Sequence, residues 1–216
     1  MDKKYSAVLF DFDETLVNIG KSFSDYTEKF YKDHELKLDP RYKIFERPYQ
    51  QIYHDILDGK ITLDPQLHEK FMKMKGLKLE EAEWMEGAIE TIKKLRKRDY
   101  KLGIITNGTT ERILGTLHYQ KVEDLFDVLI CREDVQNRKP HPEPIQKALE
   151  RLNIISEETL YVGNHQTDIE SGKAASVDNV FLANNKMYYM HVKPQLDENP
   201  PDYTVEKLDE LLEICS

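Results

Sequence analysis

The stretch SAVLFDFDETL, residues 6–16, carries the strongest indication of the fold. Its first half is a continuous run of apolar residues, which is typical of a strand that is buried on both faces of a parallel sheet. The run ends in two carboxylates, Asp11 and Asp13, with one residue between them. We therefore expect a buried strand that carries two acidic side chains at its carboxyl end.

The two carboxylates can both turn toward one site where the chain leaves this strand. Two buried like charges are unfavourable unless an opposite charge compensates them. A divalent cation is a common compensation, and Mg²⁺ prefers oxygen ligands. On Asp11 and Asp13 alone, two interpretations stay open: a metal-dependent site, or a strand that ends in solvent with exposed acids.

Further along the chain, short apolar runs alternate with amphipathic segments. The apolar runs predict strands at 101–106, 126–131, 159–163 and 179–183, with a last edge strand at 202–205. Helical spacing and helix-start residues predict helices at 86–98, after Thr109 or Thr110, from near Pro144, at 168–175 and at the C-terminus. This alternation predicts an α/β fold with a doubly wound, Rossmann-like parallel sheet.

Residues 17–82 interrupt the alternation and contain no convincing strand. Their aromatic and aliphatic residues recur every three to four positions, as in amphipathic helices. We expect residues 17–82 to form a small all-helical domain inserted into a core made of residues 1–16 and 83–216. A minority of the apolar side chains in this insertion are candidates to face a substrate.

The composition limits the classes of partner. The 216 residues carry a net charge of −9, which disfavours nucleic acid and anionic lipid but allows a small anionic substrate in a locally positive cleft. No apolar stretch is long enough to cross a bilayer, and the two cysteines form no Cys-x-x-Cys pair. We expect a cytoplasmic protein with no membrane or nucleic-acid partner, and nothing here predicts its oligomeric state.

Polar groups follow each of the other core strands. TNG at 106–108 ends the second strand, KP at 139–140 follows the third, and GNHQTD at 163–168 begins where the fourth ends. Ligands bind at the carboxyl ends of the strands in sheets of this kind. The order of these groups along the chain is therefore a more specific signal than any one of them.

Together with DFDETL at 11–16, these motifs resemble those of the haloacid dehalogenase (HAD) superfamily. The resemblance covers the chain, and residues 17–82 lie where one subgroup carries a helical cap. It implies a hydrolase of the phosphatase type that acts on a small phosphorylated metabolite, a phosphomonoester, through an aspartyl-phosphate. It also implies Mg²⁺ as the cofactor, with Mn²⁺ as the alternative, and a cap that closes over the nucleophile and limits the size of the substrate.

The resemblance assigns the chemistry of phosphoryl transfer to three residues. Asp11 is the nucleophile and a metal ligand. Asp13 is the general acid and then the general base, and its backbone carbonyl binds the metal. Lys139 is the catalytic lysine that contacts Asp11 and a phosphate oxygen, because a carboxylate and a phosphate dianion repel each other until a cation neutralises them.

Five further residues receive binding roles from the same resemblance. Thr106 is expected to donate its hydroxyl to the phosphoryl oxygens, and Asn107 and Gly108 are expected to add further donors. Asn164 and Asp168 are expected to complete the metal site. Of these five, Thr106 is also counted with the catalytic residues.

Asn164 departs from the family pattern, in which Asp usually follows this glycine. An amide oxygen replaces a carboxylate there, so we expect weaker metal affinity, a preference for another ion, or a non-catalytic phosphate-binding protein.

Asp13 favours a phosphatase over a dehalogenase, because a leaving alkoxide needs a proton whereas a halide does not. A phosphomutase remains an alternative enzyme. Glu14, which follows Asp13, is another departure, since Gly is frequent at that position in the family. His165, which follows Asn164, is either a surface residue or a substrate contact.

Overall fold

The fold is built on a six-stranded sheet in which every strand pairing is parallel. The computed structural model describes residues 4–19 and 81–216, together with residues 29, 32, 33, 35 and 66. Within these ranges the strands are β1 (Ala7–Phe10), β2 (Val17–Asn18), β3 (Glu83–Trp84), β4 (Lys101–Ile105), β5 (Val128–Ile130), β6 (Thr159–Gly163), β7 (Asp178–Leu182) and β8 (Tyr203–Val205). The sheet order is β5-β4-β1-β6-β7-β8, which confirms the predicted α/β, Rossmann-like core.

Strand β1 lies at the point where the strand order reverses. The chain runs outward from β1 through β4 to β5, then returns to the other side of β1 for β6, β7 and β8. Such a reversal leaves a crevice at the carboxyl ends of the central strands, where ligands bind in open α/β sheets. All four residues of β1 are fully buried, as its continuous apolar run predicts.

Helices alternate with the strands of the core. They are α1 (Ala88–Lys97), α2 (Thr110–Gln120), α3 (Glu143–Leu152), α4 (Gln166–Ala174), α5 (Lys186–Glu198) and α6 (Leu211–Ile214). Helix α2 begins after the N-cap Thr109, whose hydroxyl accepts a hydrogen bond from the backbone N–H of Arg112, as its sequence predicts. Helix α3 packs against β4 and β5, and α4 packs against β6 and β7.

The helices differ from the sequence-based expectations in two places. No helix was predicted over residues 186–198, where α5 lies with Pro194 inside it. The predicted C-terminal helix is instead a 3₁₀ turn, Leu208–Glu210, followed by the single-turn α6. In both places, packing on the core overrides the local preference: Val192, Leu196, Leu208 and Leu211 are all buried.

The chain divides into two compact units, one of residues 1–17 and 83–216 and the other of residues 18–82. The helical structure predicted for residues 17–82 falls almost wholly outside the described residues. Within that range Lys29, Lys32, Asp33 and Gln66 are described, and each is helical. The strand β2 at its start is a departure from the expectation that this range holds no strand; β2 and β3 form a separate two-stranded sheet.

None of the helices in the described part of the chain has the length and apolar character of a membrane-spanning segment. The two cysteines, Cys131 and Cys215, are both buried free thiols. Burial raises the pKa of each thiol to about 11, so neither is a reactive thiolate at neutral pH.

Candidate active site

Three neighbouring strands deliver polar side chains to the same edge of the sheet. Asp11 follows β1, and its backbone N–H donates to Val162 of β6 at 2.8 Å. Thr106 follows β4, and its N–H donates to Ile130 of β5 at 3.0 Å. Asn164 directly follows β6. The ladder of the sheet therefore fixes the backbone from which each of these side chains projects.

The carboxylate of Asp11 is buried and held at both oxygens. Lys139 Nζ donates to Oδ1 at 2.6 Å, and the Thr15 hydroxyl donates to Oδ2 at 3.0 Å. Burial, together with the charges of Asp168 and Asp13, raises the pKa of Asp11 to about 7, although Lys139 acts in the opposite direction. The site thus contains a carboxylate in a fixed orientation whose negative charge is only partly compensated.

Lys139 is the centre of a buried cluster. Besides Asp11, its ammonium group donates to Asp168 Oδ1 at 2.7 Å, to the Ile105 carbonyl at 3.1 Å and to the Tyr161 hydroxyl at 3.1 Å. Burial alone would lower the pKa of Lys139, but the charges of Asp11 and Asp168 outweigh it and hold the pKa well above its ordinary value. Lys139 is therefore a permanent positive charge beside the predicted nucleophile.

Asp168 is committed to hydrogen bonds on both oxygens. Oδ1 accepts from Lys139 and from the Tyr161 hydroxyl, at 2.9 Å for the latter, and Oδ2 accepts from the backbone N–H of His165 at 3.0 Å. A Cβ atom at Gly163 would overlap the Asp168 carboxyl group, which explains the glycine at that position. These contacts favour a role in orienting Lys139 over the metal ligation predicted for Asp168.

His165 is exposed and serves as the N-cap of α4. Its Nδ1 accepts from the backbone N–H of Thr167 at 3.2 Å, while its own N–H binds Asp168. The first turn of α4 is thus closed by residues of the GNHQTD motif itself. This structural role is the simpler of the two interpretations of His165.

Asp13 pairs with Arg112 of α2. The guanidinium donates from Nη1 to Oδ1 at 2.8 Å and from Nη2 to Oδ2 at 2.5 Å, a bidentate arrangement. Between Asp13 and the end of the motif the chain makes a tight turn, in which Glu14 has a φ of 63°. This left-handed conformation favours glycine, which accounts for the expectation of Gly at position 14.

The turn after β4 contains the predicted phosphate donors. Thr106 is buried, and its hydroxyl accepts from the backbone N–H of Gly108 at 3.0 Å. The Asn107 side chain donates to the Lys139 carbonyl at 3.3 Å, so the amide ties the TNG turn to the segment that carries the lysine. Asn107 therefore has a structural partner that the sequence did not predict.

Oxygen atoms are the metal donors that this edge offers. Asp11, Asn164 and the backbone carbonyl of Asp13 lie on adjacent strand ends, whereas Asp168 is committed elsewhere. No group of three or more His, Cys, Asp or Glu side chains within residues 4–19 and 81–216 is arranged to hold a metal ion. The donor chemistry nevertheless fits Mg²⁺, and the two carboxylates that share Lys139 leave one negative charge that a cation would offset.

Three contributors to the site were missed from the sequence: Thr15, Tyr161 and Arg112. Tyr161 lies in a run that predicts a buried strand. The one sequence signal is that a buried tyrosine hydroxyl usually needs a hydrogen-bond partner. Arg112 lies in the first turn of α2, where the helix dipole disfavours a positive charge. That unfavourable placement is a signal that could have identified Arg112.

Comparison with known proteins supports the order of these motifs. Residues 8–182 match the sequence pattern of haloacid dehalogenase-like hydrolases. The chain is 32% identical to pyrophosphatase PpaX of Bacillus mycoides (strain KBAB4) over 232 residues, which cover 99% of this chain and 98% of that protein.

Solved structures with a similar fold align with nearly the full length of the chain. A "predicted phosphoglycolate phosphatase" from Haemophilus somnus superimposes with a TM-score of 0.77 and 19% identity, covering 99% of both chains. YfnB, a HAD-type protein of Bacillus subtilis solved bound to magnesium, gives a TM-score of 0.76 and 24% identity, covering 99% of this chain and 100% of that one. At these identities the two structures support the fold only.

Proposed function

The chain belongs to the haloacid dehalogenase-like hydrolase family, and from this premise we propose that it is a phosphatase that uses Asp11 as its nucleophile. The observation that carries the proposal is the orientation of Asp11. Its carboxylate is buried between Lys139 and Thr15 at the point where the strand order reverses. An acid that only ended a strand in solvent would need neither partner.

In the first half-reaction, an oxygen of Asp11 forms a bond to phosphorus and the bond from phosphorus to the leaving oxygen breaks. The hydrogen bonds from Lys139 and Thr15 hold the carboxylate in place for attack. Because Lys139 stays positively charged, it reduces the repulsion between Asp11 and the phosphate. Thr106 and the TNG turn supply donors for the phosphoryl oxygens, and the product of this step is an aspartyl-phosphate.

Asp13 supplies the proton that the leaving oxygen requires. In the second half-reaction Asp13 removes a proton from a water molecule, whose oxygen bonds to phosphorus while the bond from phosphorus to Asp11 breaks. Inorganic phosphate is released and Asp11 is regenerated. In the described structure Asp13 is paired with Arg112, so this pair must open or rearrange for Asp13 to reach the leaving group.

Mg²⁺ is the cofactor that we propose, with Mn²⁺ as the alternative. Asp11, the backbone carbonyl of Asp13 and Asn164 would hold it, and it would neutralise charge on the phosphoryl oxygens. Asn164 is buried but contributes an amide oxygen in place of a carboxylate. We therefore propose a metal affinity below that of a site with Asp at this position.

Asp168 has a positioning role in this proposal. It accepts a hydrogen bond from Lys139, which also donates to Asp11, and the Tyr161 hydroxyl bridges Lys139 and Asp168. These hydrogen bonds restrain the ammonium group of Lys139 beside Asp11. Metal ligation by Asp168, directly or through water, is the alternative that the family resemblance implies.

Two substrate classes are candidates for this site. A small phosphomonoester is the class that the family resemblance implies, and the net charge of −9 supports a small molecule over nucleic acid. Inorganic pyrophosphate is the second candidate, favoured by the 32% identity to pyrophosphatase PpaX across the full chain. Both substrates would enter the same two half-reactions, because each has a phosphoryl group with an oxygen leaving group.

A screen of purified protein against pyrophosphate, small phosphomonoesters and an aryl phosphate tests the proposal, with Mg²⁺ or Mn²⁺ added. Metal-dependent release of phosphate that disappears in the Asp11→Asn variant would support a phosphatase. Binding of phosphate without turnover would support the non-catalytic alternative. Return of the phosphoryl group to a sugar would identify a phosphomutase, and release of halide from a haloacid would identify a dehalogenase.

A further inference from the structure

The guanidinium of Arg112 lies over the turn that holds the predicted phosphate donors. A Cβ atom at Gly108 would overlap Arg112 Nη2 and would lie 3.2 Å from Thr106 Oγ1. The guanidinium carbon is also 5.9 Å from the centroid of the Phe12 ring, which follows the nucleophile. Together with the pair to Asp13, these contacts place the positive charge between the segment that follows β1 and the phosphate-binding turn.

The bonds to Asp13 use only part of the guanidinium. Of its five N–H donors, one on each terminal nitrogen is engaged by Asp13. The Arg112 side chain is 18% exposed, so it is reachable from solvent. A planar guanidinium matches the geometry of carboxylate and phosphate groups, and a second oxyanion can bind along its remaining edge.

The position of Arg112 in its helix is electrostatically unfavourable. Arg112 is the third residue of α2, where the positive end of the helix dipole repels it. The part-buried bidentate pair with Asp13 offsets this repulsion, and its bonds use two of the five N–H donors. The placement becomes more favourable when an additional anion binds next to the phosphate-binding turn.

From these contacts we propose that Arg112 determines substrate specificity by binding a second oxyanion, carried by the leaving group of the substrate. This rests on the proposed phosphatase function. The substrate class is then a phosphoryl compound with an anion adjacent to the scissile bond, either a diphosphate or a phosphomonoester with a neighbouring carboxylate. Without Arg112 such a leaving group would be repelled by Asp11 and Asp13.

The test compares kcat/KM for three substrates in the wild type, Arg112→Gln and Arg112→Lys. Pyrophosphate and phosphoglycolate carry a second anion, whereas phenyl phosphate does not. Arg112→Gln should lower kcat/KM for at least one anionic substrate by roughly ten- to hundredfold more than for phenyl phosphate, as expected for the loss of a charge-assisted contact. For Arg112→Lys, the kcat/KM for that anionic substrate should lie between the values for the wild type and Arg112→Gln. Lysine keeps the positive charge but lacks the planar guanidinium group.

Arg96→Gln is the matched control. It removes an arginine whose pair with Asp127, at 2.5 Å, lies near the start of β4, away from the carboxyl ends of the strands, so the ratio of the three rates should stay at the wild-type value. Selective loss for pyrophosphate would identify the second anion as a phosphate, and selective loss for phosphoglycolate would identify a carboxylate.

Ethyl phosphate, an alkyl ester without a second anion, controls for the leaving group, because weaker proton donation by Asp13 would also slow alkyl esters more than phenyl phosphate. The proposal is overturned if Arg112→Gln lowers kcat/KM for the anionic substrates no more than for ethyl phosphate, which would leave Arg112 as a positioning residue for Asp13. The proposal also fails if the wild type hydrolyses phenyl phosphate but neither anionic substrate. In both outcomes the phosphatase function stands. If the wild type hydrolyses none of the three with either metal, the proposal fails. The phosphatase function fails with it only if the wider screen of phosphomonoesters also shows no turnover. Should Arg112→Gln not fold, Arg112→Lys still yields the ratio.

Discussion

The two cations at the active edge, Lys139 and Arg112, differ in the access of water to their ion pairs with carboxylates. The side chains of Lys139 and Asp168 are 4% and 1% exposed, and Lys139 also contacts Asp11. In the other contact, Arg112 and Asp13 are 18% and 26% exposed. The first is a closed network around the nucleophile, whereas the second is a single pair that opens to solvent.

This difference in exposure matches a difference in the mobility that the proposed reaction requires of the two sets of side chains. Electrostatic interactions are stronger where water is excluded, and breaking a buried pair leaves an uncompensated charge. Lys139 therefore holds Asp11, the proposed nucleophile, in one orientation. A partly exposed pair is screened and costs less to rearrange, which suits the proton exchange proposed for Asp13.

The largest effect is expected from removing the nucleophile within the closed network. Asp11→Asn should lower turnover by roughly 10⁴-fold or more, because an amide cannot form the acyl-phosphate. The fold should persist, since Lys139 keeps Asp168 as a partner. Phosphate release and far-UV circular dichroism measure the two properties, and a folded Asp11→Asn variant with near-normal turnover would exclude Asp11 as the nucleophile.

The second prediction breaks the closed network at its centre. Lys139→Met should lower the free energy of unfolding by about 3–5 kcal/mol, because it leaves Asp11 and Asp168 buried without their cation. Lys101→Met is the matched control: Lys101 is 54% exposed in its pair with Asp127, so a change of about 1 kcal/mol or less is expected.

Denaturant unfolding of the wild type and both lysine variants provides the measurement. A similar loss for Lys139→Met and Lys101→Met would mean that burial does not distinguish the network from a surface pair. Protonation of Asp11 in the variant would reduce the loss, because removing Lys139 removes the charge that lowers the pKa of Asp11, and this pKa then rises further above about 7. The loss should therefore grow as the pH is raised, and the comparison is most informative at the highest pH at which both proteins stay folded.

The closed network was partly predictable from the sequence, because its members follow strands. The apolar run predicted a strand that ends at Asp11, and the resemblance to HAD motifs implied a contact between Asp11 and Lys139, which the structure contains. Tyr161 could not be predicted, since an all-apolar strand does not reveal where one hydroxyl points. Asp168 was found, but its partners depend on the orientation of α4 rather than on spacing.

The pair of Arg112 and Asp13, the open pair, was less predictable than the network around Lys139. Asp13 was identified by its distance of two residues from Asp11, but its partner Arg112 is 99 positions away in a helix. Only the packing of α2 beside the end of β1 brings them together. Helix α5 contains Pro194, and the burial of its Val192 and Leu196 depends likewise on tertiary packing.

The third prediction tests whether the open pair contains the proton donor. Asp13→Asn should slow hydrolysis of an alkyl phosphate by roughly 10²-fold or more, since a poor leaving group depends on the proton. An aryl phosphate with an acidic leaving group should lose less. Rates for the two substrates in the wild type and the variant measure this, and equal losses would argue against Asp13 as the general acid.

The last prediction concerns Asn164, which directly follows β6. Strand β6 pairs with β1, the strand that ends before Asp11. Asn164→Asp adds a buried carboxylate near Asp11 and Asp168, which share a single lysine. Without a divalent ion, the variant should therefore be less stable than the wild type. With Mg²⁺ bound, the new charge should strengthen metal binding by a net amount on the order of 1–2 kcal/mol, roughly ten- to thirtyfold in affinity.

Thermal unfolding over a Mg²⁺ titration separates these two effects of Asn164→Asp without depending on turnover. Because a ligand that binds only the folded state raises its stability, the variant should begin below the wild type and gain more from the same Mg²⁺ concentration. The Mg²⁺ concentration for half-maximal phosphatase activity should fall in parallel. Equal gains in both proteins would mean that residue 164 does not bind the metal, and that Asp11 and the carbonyl of Asp13 hold it with water in place of Asn164.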